Sequence, residues 1–419
     1  MSDLLQRVTE IARTAKKASR ALALAPTAVR DAALRAAAQA LRADEAAILE
    51  ANVKDLAAAK AKGLTDAMTD RLRLDHARLE DIAVACEAVA KLPDPVGEVT
   101  EDWTRPNGLR IIRRRVPIGL VAIIFESRPN VTVDAAALCL KSGNGCVLRG
   151  GSEAIHTNIA LSKSFATGLR AAGLPAEAVT LLPFTDREAV PALGSLRGIV
   201  DIIVPRGGPG LIEAVVNSAK VPVIKHDAGI CHVYVHAQAD LAMAEQIVLN
   251  AKCQRPSACN ALETLLVDAA VAQKFLPKMA AALSAKKTEV RACVQSRPLM
   301  PGAKAATEQD FRTEHLGLIL NVKIVAGLAE AVAHVEDYGS HHSDAIITAD
   351  ESAARTFLAQ IDSACVYWNA STRFTDGGEF GFGAEVGIST DRLHARGPMG
   401  IRELTTWKFE IVGQGQVRG

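Results

Sequence analysis

The pattern of hydrophobic and polar positions along the chain changes its period near residue 93. Residues 3–92 repeat apolar side chains at spacings of three and four among many Ala, Leu, Arg, Lys and Glu residues, which predicts a series of helices. Pro26 interrupts the first helix, Thr65 begins a later one, and Pro93 ends the run. The apolar positions keep no strict heptad, so we expect packed antiparallel helices and not a coiled coil.

After Pro117, continuous apolar runs alternate with helical patterns. Such a series is typical of parallel sheets covered by helices on both faces, which bind ligands at the carboxyl ends of their strands. The sequence therefore predicts an α/β fold with two parallel-sheet domains that face each other across a cleft. Strands are expected at residues 120–125, 145–149, 179–182, 200–204, 232–235, 261–267, 318–325 and 345–347. Helices are expected at residues 132–141, 153–172, 186–190, 241–252, 269–283, 328–335 and 351–361.

Two segments beside these elements have patterns of their own. Residues 108–116 mix Ile and Val with arginine, as an exposed strand of a hairpin does, and the run of consecutive arginines is typical of a solvated face. The turn from Pro205 to Gly210 follows a predicted strand and opens a helix, so Gly207 and Gly208 are candidates for contact with an anionic ligand. An ordinary tight turn is the alternative, because the segment does not match the Gly-x-Gly-x-x-Gly fingerprint.

Length and composition narrow the class of protein. A chain of 419 residues is expected to form two or three domains, and an apolar content of 49% with a formal net charge of +1 suggests partners that are neither nucleic acid nor membrane. The first residues lack the apolar core of a signal peptide, and no apolar stretch reaches the ~20 residues of a membrane span. The eight cysteines have no disulfide-like spacing, so we expect a reducing cytoplasm.

Cys259 is the candidate nucleophile. Pro256 ends the preceding helix and an apolar strand begins at Ala261, so Cys259 lies on a loop between two rigid elements, where a thiol can meet a substrate and react as the thiolate. The alternative is a small buried hydrophobe, and Cys253, at the end of that helix, is the local rival. The cysteines in apolar runs are expected in the core: Cys139, Cys231, Cys293 and Cys365.

No metal site is predicted. The chain has no Cys-x-x-Cys pair and no zinc-ligand spacing. The adjacent residues His341 and His342 would point in different directions from one element, so they are a poor pair of ligands.

Three segments carry a resemblance to a known family: residues 116–132 (VPIGLVAIIFESRPNVT), 254–266 (QRPSACNALETLL) and 394–408 (HARGPMGIRELTTWK). They resemble the aldehyde dehydrogenase superfamily and, more closely, its γ-glutamyl phosphate reductase family. The resemblance implies NADPH-dependent reduction of L-γ-glutamyl 5-phosphate to L-glutamate 5-semialdehyde and phosphate, the second step of proline biosynthesis from glutamate. It also implies that Cys259 is the nucleophile and carries the acyl group as a thioester.

The resemblance further assigns residues to the cofactor. Arg149 lies near the position of the family's adenosine-ribose lysine, and a cation there would tolerate the 2′-phosphate of NADP. Glu314 resembles the glutamate that holds the nicotinamide ribose. His226 lies near the place of the superfamily glutamate that activates water, and the loss of that base suits a reductase that must not hydrolyse its thioester.

Two roles stay open among several residues. The oxyanion can be stabilised by Ser127, which matches the position of the superfamily's asparagine, by Asn130, or by the Cys259 backbone N–H. The leaving phosphate needs positive charge, and its candidate ligands are Arg128, Arg255 and Arg396, with His226 as a further substrate candidate.

The resemblance also implies a domain layout and partners. Residues 1–106 and 117–230 would hold the cofactor, 231–366 would carry Cys259, 367–389 would return to the cofactor domain, and 107–116 with 390–419 would form an oligomerisation flap. We expect a homo-oligomer, either a dimer or a tetramer, with a small-molecule substrate and a transient contact with a glutamate kinase. The alternatives are a CoA-acylating or hydrolytic aldehyde dehydrogenase, a zinc-dependent histidinol-type dehydrogenase and a catalytically silent scaffold.

Overall fold

A computed structural model describes residues 3–225 and 228–418 of the chain. They fall into two units, the first formed by residues 3–225, 381–387 and 399–418 and the second by residues 228–380 and 388–398. Among the described helices, none combines the length and the apolar composition that a bilayer crossing requires.

Packed helices form the amino-terminal part of the first unit, as expected. Pro26 precedes the second helix, and the side chains of Thr65 and Asp75 cap two later ones by accepting hydrogen bonds from the backbone N–H groups of Met68 and Arg78. The expected boundaries at Pro26 and Thr65 are therefore confirmed. These helices are α1 (Asp3–Leu24), α2 (Thr27–Ala43), α3 (Glu45–Ala61), α4 (Asp66–Leu72) and α5 (His76–Lys91).

A parallel sheet with the strand order β5-β4-β3-β6 forms the centre of the first unit. All residues of β3 and β4 are buried, which explains why their sequences are continuously apolar up to Arg149. The elements that follow α5 are β1 (Val99–Thr104), β2 (Arg110–Pro117), β3 (Leu120–Phe125), α6 (Val131–Lys141), β4 (Gly145–Arg149), α7 (Ile155–Ala171), β5 (Val179–Leu181), α8 (Ala189–Gly194), β6 (Ile202–Arg206) and α9 (Pro209–Ser218).

The second unit is built on a larger parallel sheet with the strand order β10-β9-β11-β8-β7-β12-β13. Val233 and Leu265 belong to a core that includes α10 and α11, whereas Tyr234 and Leu266 belong to a second core with α13 and α14. Alternate residues of one strand thus serve opposite faces of the sheet. Its elements are β7 (Cys231–Val235), α10 (Leu241–Cys253), β8 (Leu262–Asp268), α11 (Ala269–Ala285), β9 (Glu289–Ala292), β10 (Lys304–Ala305), α12 (Glu308–Phe311), β11 (Ile319–Val325), α13 (Leu328–Tyr338), β12 (Ser343–Ile347), α14 (Glu351–Gln360) and β13 (Cys365–Trp368).

The arginine-rich segment forms the middle strand of an antiparallel sheet in the first unit, with the order β1-β2-β16. Strand β16 (Thr405–Val412) is an edge strand of this sheet, and on it Phe409 and Ile411 are 51% and 60% exposed. The Arg113 guanidinium lies over the ring of Trp407 at 4.0 Å. Two short strands, β14 (Gly387–Ser389) and β15 (Gly397–Met399), pair with each other.

The predicted fold class is confirmed in its main features, because both parallel sheets and the hairpin sheet are present. Three strands of the second unit were not expected. Strand β9 mixes Glu289 and Arg291 with apolar residues, β10 has only two residues, and β13 is a four-residue segment at the end of the predicted block. Single 3₁₀ turns lie at Ser152–Ala154, Ala176–Ala178, Arg297–Leu299 and Thr372–Phe374.

Candidate active site

Cys259 lies on the loop between α10 and β8, as the sequence predicts. The helix ends at Cys253, and the chain then turns: the Ala258 N–H donates to the carbonyl of Arg255 at 3.1 Å, and the Ala261 N–H donates to that of Ala258 at 2.9 Å. The Cys259 side chain is half-buried on this loop. A thiol in such a position is reachable and its surroundings are fixed, which is the setting of a reactive cysteine.

The backbone of Cys259 is packed closely against the segment that leads into β7. A Cβ atom built on Gly229 would lie 1.9 Å from the Cys259 carbonyl oxygen, so the close approach requires glycine. The thiol of Cys231 donates to the same carbonyl oxygen at 3.4 Å. Cys231 is fully buried, and burial raises the pKa of its thiol, which makes it a structural donor and not a second nucleophile.

A segment that follows β13 docks on the same loop. The Asn260 side-chain amide donates to the carbonyl oxygens of Thr375 at 2.8 Å and Arg373 at 3.3 Å. The Thr372 hydroxyl donates to the Asn260 carbonyl at 2.7 Å. Because three hydrogen bonds join the two segments, residues 372–375 hold a fixed position beside the Cys259 loop.

Arg373 is a charged residue of this site that the sequence analysis missed. Its half-buried guanidinium donates from Nε to the Gln254 side chain at 2.8 Å. Burial lowers the pKa of Arg373 and the charge of Arg255 lowers it further, whereas Cys259 and Asp376 act in the opposite direction. The available signal was a short polar run, Ser-Thr-Arg, between an apolar strand and a glycine-rich stretch, which is typical of a functional loop.

The other cysteines differ from Cys259 in their surroundings. Cys253, the local rival, has its sulfur 3.5 Å from Thr288 Oγ1 and packs against the core of the second unit. Cys139, Cys231 and Cys365 are buried as expected, but Cys293 is only half-buried, so its predicted place in the core is wrong. Cys259 as the nucleophile stays a prediction, which its loop setting supports.

A buried ion pair connects the two elements that flank the Cys259 loop. Lys252 Nζ on α10 lies 2.9 Å from Glu263 Oε2 on β8, and neither side chain is exposed. The other Glu263 oxygen accepts the Leu316 backbone N–H at 3.2 Å. Burial raises the pKa of Glu263 to about 7 against the opposing effect of Lys252, and burial lowers the pKa of Lys252.

Glu314 lies near the backbone that contacts Cys259. Burial raises the pKa of the Glu314 carboxyl, whereas the Gly229 backbone N–H lowers it as a hydrogen-bond donor. The charge of Lys252 acts in the same direction as that N–H. The predicted role of Glu314 at a nicotinamide ribose stays a prediction.

The predicted oxyanion candidates of the first unit lie between β3 and α6. Ser127 has a φ of +54°, and both its N–H and its hydroxyl donate to Glu153 Oε1, at 2.5 and 3.3 Å. Asn130 donates from its amide to Asp134 at 2.7 Å, and burial raises the pKa of Asp134 to about 6. Arg128 is half-buried on the same loop. Which of these groups stabilises an oxyanion stays open.

Arg149 ends β4 and is 6% exposed. Its Nη2 donates to the carbonyls of Thr185 at 2.8 Å and Asp186 at 3.3 Å, whereas its buried Nε has no hydrogen-bond partner among the described residues. Burial lowers the pKa of Arg149, and the nearby carboxylates of Glu153 and Glu126 raise it. The guanidinium therefore keeps donor capacity for an anionic group.

The glycine turn before α9 already meets a carboxylate. Gly208 precedes the first helical residue, and its N–H donates to Glu126 Oε2 at 3.1 Å. A Cβ atom on Gly207 would lie 2.4 Å from the same oxygen. The positive end of the helix is thus partly balanced by Glu126, so contact of Gly207 and Gly208 with a phosphate stays a prediction.

The remaining predicted cations of the second unit differ in their pairing. Arg396 donates to the Asp362 carboxylate at 2.6 Å and to its backbone carbonyl at 2.5 Å, and it shares this carboxylate with Arg392. Arg255 is exposed on the Cys259 loop. His226, predicted near the position of the water-activating glutamate, lies outside the described residues.

Comparison with known proteins identifies the family. The model of the aldehyde dehydrogenase family matches residues 5–292. The chain is 54% identical over 404 residues to a gamma-glutamyl phosphate reductase of Moorella thermoacetica, covering 96% of this chain and 97% of the relative. It is also 54% identical to the Symbiobacterium thermophilum protein of that name, covering 98% and 100% of the two chains. The crystal structure of the Thermotoga maritima gamma-glutamyl phosphate reductase matches with a TM-score of 0.96 at 45% identity and covers 100% of both chains. The chain therefore belongs to the aldehyde dehydrogenase family and, within it, to the γ-glutamyl phosphate reductases, which are oxidoreductases.

Proposed function

We propose that this chain reduces L-γ-glutamyl 5-phosphate to L-glutamate 5-semialdehyde and inorganic phosphate with NADPH, through a thioester on Cys259, as the second step of proline biosynthesis. Family membership supports the substrate and the reaction. The observation that carries the mechanism is the setting of Cys259, a half-buried thiol on a loop whose backbone is held by Gly229, Cys231 and Asn260.

The chemistry of this loop follows from its geometry. The Cys259 thiolate adds to the acyl carbon, the sulfur–carbon bond forms, and the carbon–oxygen bond to phosphate breaks as phosphate takes the electron pair. The oxyanion of the adduct needs a donor that is placed in advance, and Ser127, Asn130 and the Cys259 N–H are the proposed sources. The packing of Gly229 against the Cys259 carbonyl keeps the loop backbone, and with it this N–H, in one position.

The candidate cofactor residues fit NADPH in part. NADPH would supply the hydride that reduces the thioester. Arg149, with a buried Nε that lacks a described partner, is suited to the 2′-phosphate, and Gly207, Gly208 and Glu314 are the further proposed ligands. The carboxylates of Glu126 and Glu153 act on Arg149, so they reduce the excess positive charge that would favour NADPH over NADH.

We also propose a homo-oligomer, formed through the sheet that contains β16. Trp407, Phe409 and Ile411 alternate along this edge strand and are about half exposed or more. An edge strand with a row of exposed apolar side chains is typical of a surface that pairs with another chain. A cytoplasmic location is proposed as well, supported by the free cysteines among the described residues.

The reverse reaction tests the proposed function. We expect NADPH formation from L-glutamate 5-semialdehyde and NADP to require inorganic phosphate and to saturate with it. We expect Cys259→Ala to abolish turnover with an unchanged circular dichroism spectrum, and Cys253→Ala, the matched control, to retain most of it. Full turnover in phosphate-free buffer with release of glutamate would identify a hydrolytic aldehyde dehydrogenase, and substantial activity of Cys259→Ala would refute the thioester.

A further inference from the structure

Arg373 and Arg255 form a pair of cations beside Cys259 that has no acidic counterpart in the part of the chain that the structure describes. Among residues 3–225 and 228–418, no carboxylate lies within ion-pair distance of either guanidinium. Asp376 is near enough to affect Arg373 electrostatically but makes no ion pair with it. This differs from Arg396, whose guanidinium is paired with Asp362. Two neighbouring like charges without a carboxylate are unfavourable unless an anion joins them.

The protein fixes Arg373 more firmly than an ordinary surface arginine. The Arg373 Nε donates to Gln254, and its carbonyl accepts from Asn260. The neighbouring Thr375 is fully buried, and its hydroxyl lies 2.6 Å from Ser343 Oγ and 2.7 Å from the Tyr367 hydroxyl. A guanidinium whose Nε and backbone are both held loses little further entropy when its terminal nitrogens bind a ligand.

We infer that Arg373, together with Arg255, forms the binding site for the phosphoryl group of the acyl phosphate. This inference rests on the proposed function. An arginine offers parallel N–H donors that match two oxygens of a phosphate, which makes the pair both strong and directional. Arg255 and Arg373 belong to two segments that hydrogen bonds join around Asn260, so the backbone positions of both cations depend on the contacts that hold the Cys259 loop.

The proposed phosphate site stabilises the anion in both the forward and the reverse reaction at Cys259. In the forward direction, the carbon–oxygen bond of the acyl phosphate breaks and the phosphate leaves with the electron pair, so its charge grows beside the two guanidinium groups. In the reverse direction, a phosphate oxygen attacks the thioester carbon and the Cys259 thiolate leaves. No oxidant or reductant enters this step, and the cations stabilise the anion on either side of it.

Kinetic constants for the reverse reaction test the inference. The KM values for phosphate and for L-glutamate 5-semialdehyde are measured separately in the wild type, Arg373→Ala and Arg373→Lys. We expect Arg373→Ala to raise the KM for phosphate roughly 10- to 100-fold, the range of a lost hydrogen bond to a charged group, and to leave the KM for semialdehyde near that of the wild type. Arg373→Lys should fall between them, because it keeps the charge and loses the planar donors.

The matched control is Arg355→Ala, on α14, where a 73%-exposed guanidinium pairs with Glu351 four residues earlier. It should leave both KM values unchanged. An equal rise of both KM values in Arg373→Ala would mean a structural role, and a rise for semialdehyde alone would mean that Arg373 binds the substrate carboxylate. Either result overturns the inference.

Alkylation of Cys259 separates this inference from the proposed function. Inorganic phosphate should slow the labelling of Cys259 by iodoacetamide in the wild type, and Arg373→Ala should need much more phosphate for the same protection. If wild-type turnover does not depend on phosphate, the proposed function fails. Protection of Cys259 by phosphate in the wild type, lost in Arg373→Ala, would still support the anion site in that case. Absence of protection in the wild type, or equal protection in the variant, overturns the site.

Discussion

Replacement of Lys252 by methionine should destabilise the second unit by an amount that grows with pH. The variant keeps most of the side-chain volume but removes the cation 2.9 Å from Glu263, and neither residue is exposed to water that could take its place. Removal of one partner of such a buried pair costs about 3–5 kcal/mol. Among the described residues, the carboxyl of Glu263 keeps the Leu316 N–H at 3.2 Å as its one hydrogen bond.

Protonation of Glu263 sets a limit to this cost. In Lys252→Met the folded-state pKa of Glu263 rises further above its value of about 7, so the carboxyl becomes neutral on folding. At pH about 5.5 the Glu263 carboxyl is neutral in both the wild type and the variant, so this contribution does not separate them. At pH about 8.5 the wild type, with a folded pKa of about 7, ionises Glu263 and regains about 2 kcal/mol that the variant does not regain. Because the folded pKa is raised, stability is present at low pH and is lost as the pH rises.

Urea unfolding at these two pH values, with hydrogen exchange of the β8 and α10 amides, measures the effect. The double variant Lys252→Met with Glu263→Gln keeps an acceptor for Leu316 but has no carboxyl, so its loss should be smaller and should not grow as the pH rises. Lys54→Met is the surface control, because Lys54 pairs with Glu50 across one helix turn and both are mostly exposed. A loss in Lys252→Met that is equal at both pH values, or no greater than in Lys54→Met, would refute the reasoning.

Further outcomes are expected at other positions. Gly229→Ala should lower turnover roughly 100-fold by displacing the Cys259 loop. Gly327→Ala, where no atom lies within 4 Å of the added carbon, should leave turnover unchanged. A normal rate in Gly229→Ala would contradict the packing of Gly229 against Cys259. Burial lowers the pKa of His334 to about 2, so the unfolded chain binds a proton at this residue before the folded chain does as the pH falls below ~6.5. His334→Phe should therefore reduce the loss of unfolding free energy in acid by up to about 1.4 kcal/mol per pH unit, measured by urea unfolding. An unchanged dependence of the unfolding free energy on pH would contradict this prediction. Phe409→Glu should shift the sedimentation coefficient towards that of the monomer, because Phe409 is exposed on β16. An unchanged sedimentation coefficient would place β16 outside the oligomer interface.

Sequence patterns located the elements wherever an apolar run was long enough to allow one interpretation. The run at residues 120–125 is entirely buried between helices, so its whole length is apolar and its bounds are those of β3. Strand β9 alternates Glu289 and Arg291 with apolar residues, and Arg291 is bonded to Asp310. Side-chain pairs of this kind stabilise a strand without leaving an apolar pattern in the sequence.

The candidate site shows the same limit more sharply. Cys259 could be predicted because Pro256 and the following strand place it on a loop through local chemistry alone. The position of Arg373 depends on hydrogen bonds between its own segment and Asn260, more than a hundred residues earlier in the chain. No period or spacing encodes such a contact, so Arg373 remained part of a connecting segment until the fold brought the two segments together.

The electrostatic environment of Cys259 bears on why its proposed thioester would react with phosphate in preference to water. Water needs a base directed at the thioester. Glu263 is committed to Lys252 and to the Leu316 N–H, and the Glu314 carboxyl accepts the Gly229 N–H. Phosphate already carries its charge and needs only cations to place it, which Arg373 and its neighbour on the loop supply in the proposed site. Selectivity for phosphate over water would then come from the position of positive charge beside Cys259. Loss of Arg373 should reduce phosphorolysis of the thioester without creating hydrolysis. The yield of free glutamate in Arg373→Ala would measure this.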